Sequence, residues 1–393
     1  MVGQEDVSVV NIVDQVIHKA LELNASDIHL EPLERELRIR FRIDGMLQDG
    51  AVAHNSIKKQ IISRLKVLAH MDITEHRIPQ DGKFILKTSD GAAIDMRIST
   101  FPSLHGEKMV IRILDKNQMK ISLEDLGFSY NMLEQFKQLL SRPQGFFLVT
   151  GPTGSGKTTT LYAALSLLNS PQKNIITLED PVEYNIEGIT QGHINRATGF
   201  TFAQGIRSLL RQDPDIIMIG EIRDPESARI AIEAAMTGHL VLSTLHTNDA
   251  PSAIIRLMDM GIEPFLINAA VTGVLAQRLT RKICNQCKHL GELSLEEKKF
   301  LEKHFNGESE RVTHAYRGEG CQACLGTGFR KRTGIFELLV MNDTLSSFIN
   351  QYPKLETIRV QAQTDGMRSL AYDGFEKIQN GDVCVEELMR VLA

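Results

Sequence analysis

The stretch Gly151-Pro152-Thr153-Gly154-Ser155-Gly156-Lys157-Thr158 decides the fold of this chain. It fits G-x-x-x-x-G-K-[ST], a loop whose glycines let successive backbone N–H groups face bound phosphates. The apolar run 146–150 before it predicts a buried strand, and the Ala- and Leu-rich run 158–168 after it predicts a helix. A chance glycine-rich turn would lack that strand and helix. The sequence therefore predicts a nucleoside triphosphate site.

The parts of this loop have separate predicted roles. Lys157 would neutralise the β- and γ-phosphates, and Thr158 would hold Mg²⁺. The helix N-terminus adds a partial positive charge. The residues predicted to bind the nucleotide are Gly151, Pro152, Thr153, Gly154, Ser155, Gly156, Lys157, Thr158 and Thr159.

The composition is that of a globular protein. A length of 393 residues allows two or three domains. The net charge of −5 argues against a general polyanion-binding surface but permits a local basic groove. No apolar run approaches the ~18 residues that suggest a membrane span, and residues 1–10 lack the basic and apolar regions of a signal peptide. With a nucleotide motif, these features predict a cytoplasmic location.

Residues 1–114 predict a mixed α+β domain. The segments 10–24 and 56–71 have helical apolar spacing, whereas 36–43 alternates apolar residues with Arg38, Arg40 and Arg42. Residues 115–125 are polar and predict a linker. Further strands are predicted at 26–31, 84–87, 93–99 and 108–114.

From Leu126 the pattern changes to strand–helix alternation, which predicts an α/β fold with a parallel sheet. Its predicted strands are almost wholly apolar, as suits strands covered on both faces. We expect an α/β core over 126–283, a cysteine-bearing insert over 284–330 and a helical C-terminal part over 331–393. The predicted strands are 146–150, 175–178, 216–219 and 240–245.

Acidic residues follow two of these strands. Glu221 comes after 216–219, and Glu179, Asp180 and Glu183 come at or after the end of 175–178. A carboxylate there could bind Mg²⁺ through water or polarise the attacking water. Several carboxylates near a triphosphate are tolerable only with Mg²⁺ and basic residues. A single acid at a strand end is usually just solvated, but the phosphate loop favours functions for Glu221 and Glu183.

Basic and imidazole groups lie near the same segments. His239 and His246 bracket the strand 240–245, and a histidine near a γ-phosphate could hydrogen-bond it, although a structural role is common. An exposed arginine alone is usually only solvated. The candidate arginines are Arg97 and Arg112 on strands of the first domain, Arg207 and Arg211 four residues apart, and Arg223 just after Glu221.

Two Cys-x-x-Cys pairs predict a metal site. Four thiolates can enclose one tetrahedral ion, and soft sulfur favours structural Zn²⁺ with no open catalytic position. The gap between the pairs is unusually wide and contains a predicted helix with Ser294 and Glu297 as its capping box. A disulfide needs an oxidising compartment, and no signature supports a redox pair. Cys384 is predicted to be a free, partly buried thiol. The predicted ligands are Cys284, Cys287, Cys321 and Cys324.

Together these motifs resemble those of the assembly ATPases of type II secretion and type IV pili, the GspE/PilB family. The resemblance covers essentially the whole chain, with the motifs in the family's order. It comprises Walker A at 151–158, the Asp box at 177–184, Walker B at 209–215 with 220–224, the His box at 237–239 with 245–247, and a second N-terminal domain beginning with 25–29, Arg40, Arg42, Asp44 and Gly45.

The resemblance implies a homo-hexameric motor with a PAS-like N-terminal domain, a RecA-like core and ATP between the two. It implies that Glu221 is the Walker B glutamate, Glu183 helps to activate water and His246 senses the γ-phosphate. It also implies that Arg97, Arg112, Arg207, Arg211 and Arg223 surround the phosphates, some of them across domains or subunits. An arginine brought in by closure can accelerate hydrolysis ~10³–10⁵-fold.

The resemblance further implies platform proteins at the inner membrane as partners, with peripheral association through them and no nucleic acid. The four cysteines match a zinc module of the secretion and pilus-assembly branches, which retraction ATPases generally lack. Full-length members have another N-terminal domain that docks on a membrane partner, whereas this chain starts almost at the PAS-like domain. We therefore expect a shortened form or a short paralogue, and recruitment by that route is not implied.

The sequence thus favours a motor for pilin-like subunits in type II secretion, with type IV pilus extension as the nearest alternative. A RecA-like nucleic-acid translocase would favour a basic face with stacking aromatics, but the chain has no Trp and 6% aromatic residues. A nucleotide-gated adaptor without turnover is a further alternative. A chaperone zinc element would repeat several times, and here it occurs once.

Overall fold

The computed structural model of the protein describes residues 8–88, 93–114, 121–305 and 313–392. The chain divides into two compact units, Met1–Lys120 and Ile121–Ala393. The predicted linker 115–125 lies partly outside the described residues. Within the described part of the chain, no helix combines the length and the apolar character needed to cross a bilayer.

In its described residues, the first unit is an antiparallel sheet with two helices. Its strands lie in the order β3-β2-β1-β6-β5-β4, and every neighbouring pair is antiparallel. Strand β3 is the one that the sequence did not predict. The elements are α1 (Val9–Glu22), β1 (Asp27–Pro32), β2 (Glu36–Ile43), β3 (Met46–His54), α2 (Asn55–Leu68), β4 (Gln80–Lys87), β5 (Ala93–Ser103) and β6 (Gly106–Leu114).

The alternation predicted for β2 is confirmed. Leu37, Ile39 and Phe41 are buried in a core that both helices share. Arg40 lies on the other face and pairs with the buried Glu31 of β1 at 2.7 Å. Burial opposes ionisation of Glu31, but hydrogen bonds from the neighbouring arginines outweigh it and lower the pKa of this carboxyl to about 2.

The second unit contains a larger sheet with helices on its faces. Its elements are α3 (Tyr130–Leu140), β7 (Gly145–Thr150), α4 (Lys157–Leu168), β8 (Ile175–Glu179), β9 (Thr190–His193), α5 (Phe202–Leu209), β10 (Ile216–Ile219), α6 (Pro225–Met236), β11 (Leu240–Leu245), α7 (Ala250–Asp259), α8 (Pro264–Ala270), β12 (Val271–Ile283), β13 (Lys288–Glu292), α9 (Leu295–His304), β14 (His314–Gly318), β15 (Phe329–Val340), α10 (Asp343–Ile349), α11 (Leu355–Thr364), α12 (Leu370–Gln379) and α13 (Val385–Leu392).

The large sheet has the order β15-β12-β7-β11-β10-β8-β9. All neighbours are parallel except β15, which runs antiparallel to β12. Side chains along β7 alternate between two cores: Phe146 and Leu148 enter one, and Phe147 and Val149 enter the other. Because both faces of the strand are covered, its sequence is continuously apolar, and the predicted α/β class is confirmed.

The C-terminal part differs from the prediction. Residues 331–340, which the predicted C-terminal part 331–393 included, belong to β15. The helices begin at Asp343, one residue before the start at Thr344 that the sequence predicts. Strand β12 was also not predicted. In the cysteine-bearing insert, α9 begins as expected: Ser294 Oγ accepts from Glu297 N at 3.2 Å, and Glu297 Oε2 accepts from Ser294 N at 2.7 Å. The insert adds a small sheet, β13 with β14.

A buried carboxylate joins β15 to two helices. Glu337 accepts from the backbone N–H of Ala250, the first residue of α7, at 2.8 Å and from that of Leu370, the first residue of α12, at 3.4 Å. Burial raises the pKa of Glu337 to about 7. Asp249, the N-cap of α7, pairs with Arg359 of α11 at 2.8 Å. The loop that follows β11 is thereby tied to the C-terminal helices.

The packing of α3 on the sheet yields a stability prediction. Phe136 is fully buried, and its ring centroid lies 5.1 Å from that of Phe147 on β7. We expect Phe136→Ala to lower the free energy of unfolding by about 3–5 kcal/mol, measured by urea unfolding followed by far-ultraviolet circular dichroism. Tyr130→Ala, at an exposed position of the same helix, is the control and should change it by less than about 0.5 kcal/mol. Equal effects would contradict this packing.

Candidate functional site

The predicted phosphate loop lies between β7 and α4. Gly156 is the N-cap of α4 with φ of +88°, a left-handed conformation that favours glycine. The Lys157 ammonium donates to the carbonyls of Gly151 at 2.8 Å and Pro152 at 3.0 Å, so this side chain folds back over the loop. Thr158, in the first turn of the helix, is exposed, and its role as a metal ligand stays a prediction.

Lys157 is electrostatically unusual because it is buried. Burial lowers the pKa of its ammonium to about 8, the carboxylate of Glu221 acts in the opposite direction, and the Arg278 guanidinium lowers the pKa further. These three charges therefore act on one another at the phosphate loop. Burial thus makes the charged form of Lys157 costly, and an anionic ligand beside it would stabilise that charge.

Glu221 lies at the meeting point of two neighbouring parallel strands. It follows β10 with Gly220 between, and His246 directly follows the adjacent strand β11. Its Oε1 lies 2.5 Å from Arg223 Nη2, and its Oε2 lies 3.5 Å from His246 Nε2. The structure thus brings Glu221, Arg223 and His246 together, and Arg223 compensates the charge of Glu221; their roles at a nucleotide stay a prediction.

A buried network supports the loop that carries Glu183. Glu179 accepts from Tyr162 Oη, from Thr177 Oγ1 at 2.6 Å and from Gln191 Nε2 at 3.2 Å. Burial, followed by the interaction with Glu179, raises the pKa of Tyr162, so its hydroxyl stays protonated and donates. The same hydroxyl accepts from the backbone N–H of Glu183 at 3.3 Å. The helix after the phosphate loop therefore positions the backbone of Glu183.

The two arginines near α5 have local partners. Arg207 pairs with Glu226 of α6 at 2.8 Å. Arg211 lies beyond the last residue of α5, and its Nη1 donates to the carbonyl of Arg207 at 2.7 Å. These contacts hold the two side chains in neighbouring positions, and their role at the phosphates stays a prediction.

The two candidate arginines of the first unit lie opposite each other on paired strands. Arg97 of β5 is in register with Arg112 of β6. Arg112 Nε donates to Asp27 Oδ1 at 3.1 Å. The two arginines therefore lie side by side on the sheet, and their role at the phosphates also stays a prediction.

Sequence reasoning missed several residues of the site. Tyr162 and Gln277 are buried, and Gln277 bonds to the phosphate loop from β12. Arg278 donates to the Asn248 carbonyl at 3.2 Å, two residues after His246. The sequence feature that could have identified Gln277 and Arg278 is that these two polar residues interrupt the apolar run of β12. His239 has a local partner, since its Nδ1 lies 3.0 Å from the Ala234 carbonyl of α6, and this contact favours a structural role.

The four predicted metal ligands lie together. Their sulfur atoms are all within 4.8 Å of one another, and the closest pairs are 3.7–3.8 Å apart. These separations are too long for disulfides. The closest separations match the edge of a tetrahedron whose centre is about 2.3 Å from each sulfur, the Zn–S distance. The ligands are Cys284, Cys287, Cys321 and Cys324.

Backbone N–H groups support negative charge on this cluster. Cys321 N and Gly328 N donate to Cys324 Sγ at 3.1 and 3.2 Å, and Gly320 N donates to Cys287 Sγ at 3.3 Å. Burial disfavours the Cys324 thiolate, but the N–H groups of Cys321 and Gly328, with hydrogen bonds from the neighbouring thiols, outweigh it and lower the pKa of Cys324 to about 6. Burial instead raises the pKa of Cys287, so the negative charge of the metal-free cluster is concentrated on Cys324. The donor set and its spacing fit Zn²⁺. Cys384 is a separate, buried free thiol, more buried than expected.

Comparison with known proteins gives a consistent result. A family model described as "Type II/IV secretion system protein" matches residues 3–390. The chain is 45% identical to the type II secretion system ATPase E of Vibrio cholerae, covering 99% of this chain and 76% of that protein. It is also 45% identical to the type IV pilus assembly ATPase PilB of Myxococcus xanthus, covering 98% of this chain and 68% of that protein.

Solved structures share the fold. The pilus retraction motor PilT with bound ADP is 25% identical with a TM-score of 0.62, over 96% of this chain and 95% of that one. The ATPase DotB of Legionella pneumophila is 18% identical with a TM-score of 0.71, over 99% of this chain and 97% of that one. The DotB likeness concerns the fold alone.

The buried lysine yields a pH prediction. Phosphates bind the charged ammonium, so Mg²⁺-free ADP should bind more weakly as pH rises through about 8, the pKa of Lys157 in the free protein. We expect about tenfold weaker binding at one pH unit above that value, with proton uptake seen by calorimetry in buffers of different ionisation enthalpy. Lys157→Arg stays charged and should show a flat profile over this range. A flat profile in the wild type would contradict the assignment.

The thiolate cluster yields a metal prediction. Reduced protein should contain about one zinc per chain by elemental analysis. Cys324→Ser should lose most of the metal because it removes one of four ligands. Cys384→Ser is the matched control and should retain the metal, since this buried thiol lies outside the cluster. Metal-free wild-type protein, purified reduced and without chelator, would refute the zinc assignment.

Proposed function

Since the chain belongs to the type II/IV secretion system protein family and is one of its ATPases, we propose that it uses ATP hydrolysis to drive domain motion that assembles pilin-like subunits for type II secretion. The observation that supports this most directly is the meeting of Glu221, Arg223 and His246 beside the Lys157 loop. Type IV pilus extension is the second candidate, because the PilB relative is as similar as the secretion relative.

In this proposal the phosphate loop binds the triphosphate. Backbone N–H groups of 151–158 and the Lys157 ammonium hold the β- and γ-phosphates, and residue Thr159 completes the first turn. Mg²⁺, when bound, would neutralise developing charge on the phosphates. The exposed Thr158 hydroxyl and the Glu221 carboxylate suit this hard cation because they offer oxygen ligands.

Glu221 then acts on the attacking water as a carboxylate. Its pairing with Arg223 lowers the repulsion between this carboxylate and the incoming triphosphate. His246, beside the same carboxylate, is placed to hydrogen-bond the γ-phosphate and to register its loss. Glu183 assists in activating water, with its backbone held by Tyr162. Arg97, Arg112, Arg207 and Arg211 are proposed to stabilise phosphate charge in the assembled motor.

The proposed assembly is a homo-hexamer in the cytoplasm, peripheral at the inner membrane through platform proteins. The names of the relatives, which are secretion and pilus-assembly proteins, support membrane machinery as the partner. The tetracysteine centre supports the secretion or assembly branch over retraction motors, as the sequence resemblance implies. We propose that this centre holds structural zinc. Solution mass with and without nucleotide tests the hexamer, and a strictly monomeric protein in both states would oppose it.

The division of roles at the site can be tested by two substitutions. Glu221→Gln should keep nucleotide affinity but lower kcat by about 10²–10⁴-fold, because the amide cannot act on water as the carboxylate does. Lys157→Ala should abolish nucleotide binding. Phosphate release and fluorescent-nucleotide titration measure these effects.

Glu233→Gln is the matched control, because Glu233 is an exposed carboxylate of α6 that pairs only locally with Arg229. It should retain wild-type kcat and affinity. Wild-type turnover by Glu221→Gln would remove Glu221 from the mechanism, and near-normal binding by Lys157→Ala would remove the site itself.

A further inference from the structure

Strand β12 carries a buried amide that reaches the phosphate loop. Gln277 is 2% exposed. Its Nε2 donates to the Ser155 carbonyl at 2.6 Å, and its Oε1 accepts from Thr160 Oγ1 at 2.8 Å. Both partners lie more than 110 residues earlier in the chain, one in the loop and one in the first turn of α4. A single side chain therefore joins the loop to the helix from outside both.

This contact determines the direction of a backbone N–H group. The peptide that links Ser155 to Gly156 is trans, so its C=O and N–H point in opposite directions. Because the Ser155 carbonyl is directed at Gln277, the Gly156 N–H is directed away from β12. An anion-binding loop needs successive N–H groups on one side and carbonyls on the other. At the Ser155–Gly156 peptide, the hydrogen bond from the Gln277 amide keeps the carbonyl on one side of the loop and the N–H group on the other.

The close approach of Gln277 also leaves little room for a side chain at two glycine positions of the loop. A Cβ atom at Gly151 would lie 2.5 Å from the carbonyl oxygen of Gln277, and one at Gly156 would lie 3.1 Å from its Nε2. Strand β12 thus passes so close to the loop that side chains at these positions would displace it. The glycines permit the close approach that lets the amide reach Ser155.

We propose that Gln277 is a positioning residue for nucleotide binding, which holds the phosphate loop in its anion-binding conformation. The inference rests on the proposed nucleotide site and adds to it the residue that keeps the site formed. Without the amide, the Ser155 carbonyl loses its partner and can turn toward the ligand side, where it would repel phosphate oxygens. Lys157, which already donates to two loop carbonyls, would then have a competing carbonyl partner.

The main test replaces the amide by an apolar side chain of similar length, Gln277→Met. We expect the Kd for Mg²⁺-free fluorescent ADP and the KM for ATP to rise about tenfold, the effect of one lost hydrogen bond that leaves a buried partner unpaired. We expect kcat to change less than about threefold, because the interaction supports ground state and transition state alike.

A matched control lies three residues further along the same strand. Thr280 is fully buried, and its Oγ1 donates to the Thr333 carbonyl at 3.1 Å, away from the loop. Thr280→Val should lower thermal stability as Gln277→Met does but leave Kd and KM unchanged. Equal rises in KM for both variants would show that general destabilisation is the cause and would overturn the proposal.

Thr160→Val removes the hydrogen bond that Gln277 Oε1 accepts from Thr160 Oγ1. It is the test variant if Gln277→Met does not fold. It should raise Kd about threefold, less than Gln277→Met because the Ser155 bond remains. The double variant should have the same Kd as Gln277→Met alone, since both substitutions disrupt one hydrogen-bond network. Unchanged Kd in folded Gln277→Met, or in Thr160→Val if that is the only folded variant, would overturn the proposal. Absence of nucleotide binding by the wild type would instead overturn the nucleotide site.

Discussion

Parallel hydrogen bonding among β7, β11, β10 and β8 is the constraint on which the candidate site depends. The registers align Thr150 with Leu245 and Ile219 with both Ser243 and Leu178. Parallel strands end at a common edge, so the residues that follow them meet there although they are far apart in sequence. The phosphate loop, the carboxylate after β10 and the histidine after β11 are consequences of this alignment.

The phosphate loop, Glu221 and His246 could be identified from the sequence because each lies within two residues of the end of an apolar run. Glu221 and His246 needed only the position of a strand end, and the pairing of strands brought them within 3.5 Å. Gln277 and Tyr162 could not be identified in this way. Both lie within apolar elements, and their partners are set by tertiary contact across long stretches of chain. A buried polar residue in an apolar run indicates a partner, but the sequence does not say which one.

The prediction of strands and helices from the sequence has the same limit. Strands β2, β10 and β11 match their predicted bounds because alternation or a short apolar run defines them. Strand β3 is mostly exposed and lacks alternation, so it gave no pattern to detect. Strands β12 and β15, which pair across the whole cysteine-bearing insert, were missed because polar and charged residues such as Gln277, Arg278 and Glu337 interrupt their apolar runs. Helix α9 was predictable because its capping box is a local hydrogen-bond pair.

The carboxylate of Glu337 has a mechanical consequence. It is the shared acceptor for the leading N–H groups of two helices, and separating these helices would leave a buried acceptor and an amide unpaired at a cost of about 1–3 kcal/mol for each such group. Strand β15, the start of α7 and the start of α12 consequently behave as one stiff block. In the proposed motor, a movement of the loop after β11 would therefore carry β15 and the starts of both helices with it, and bending would occur outside this block.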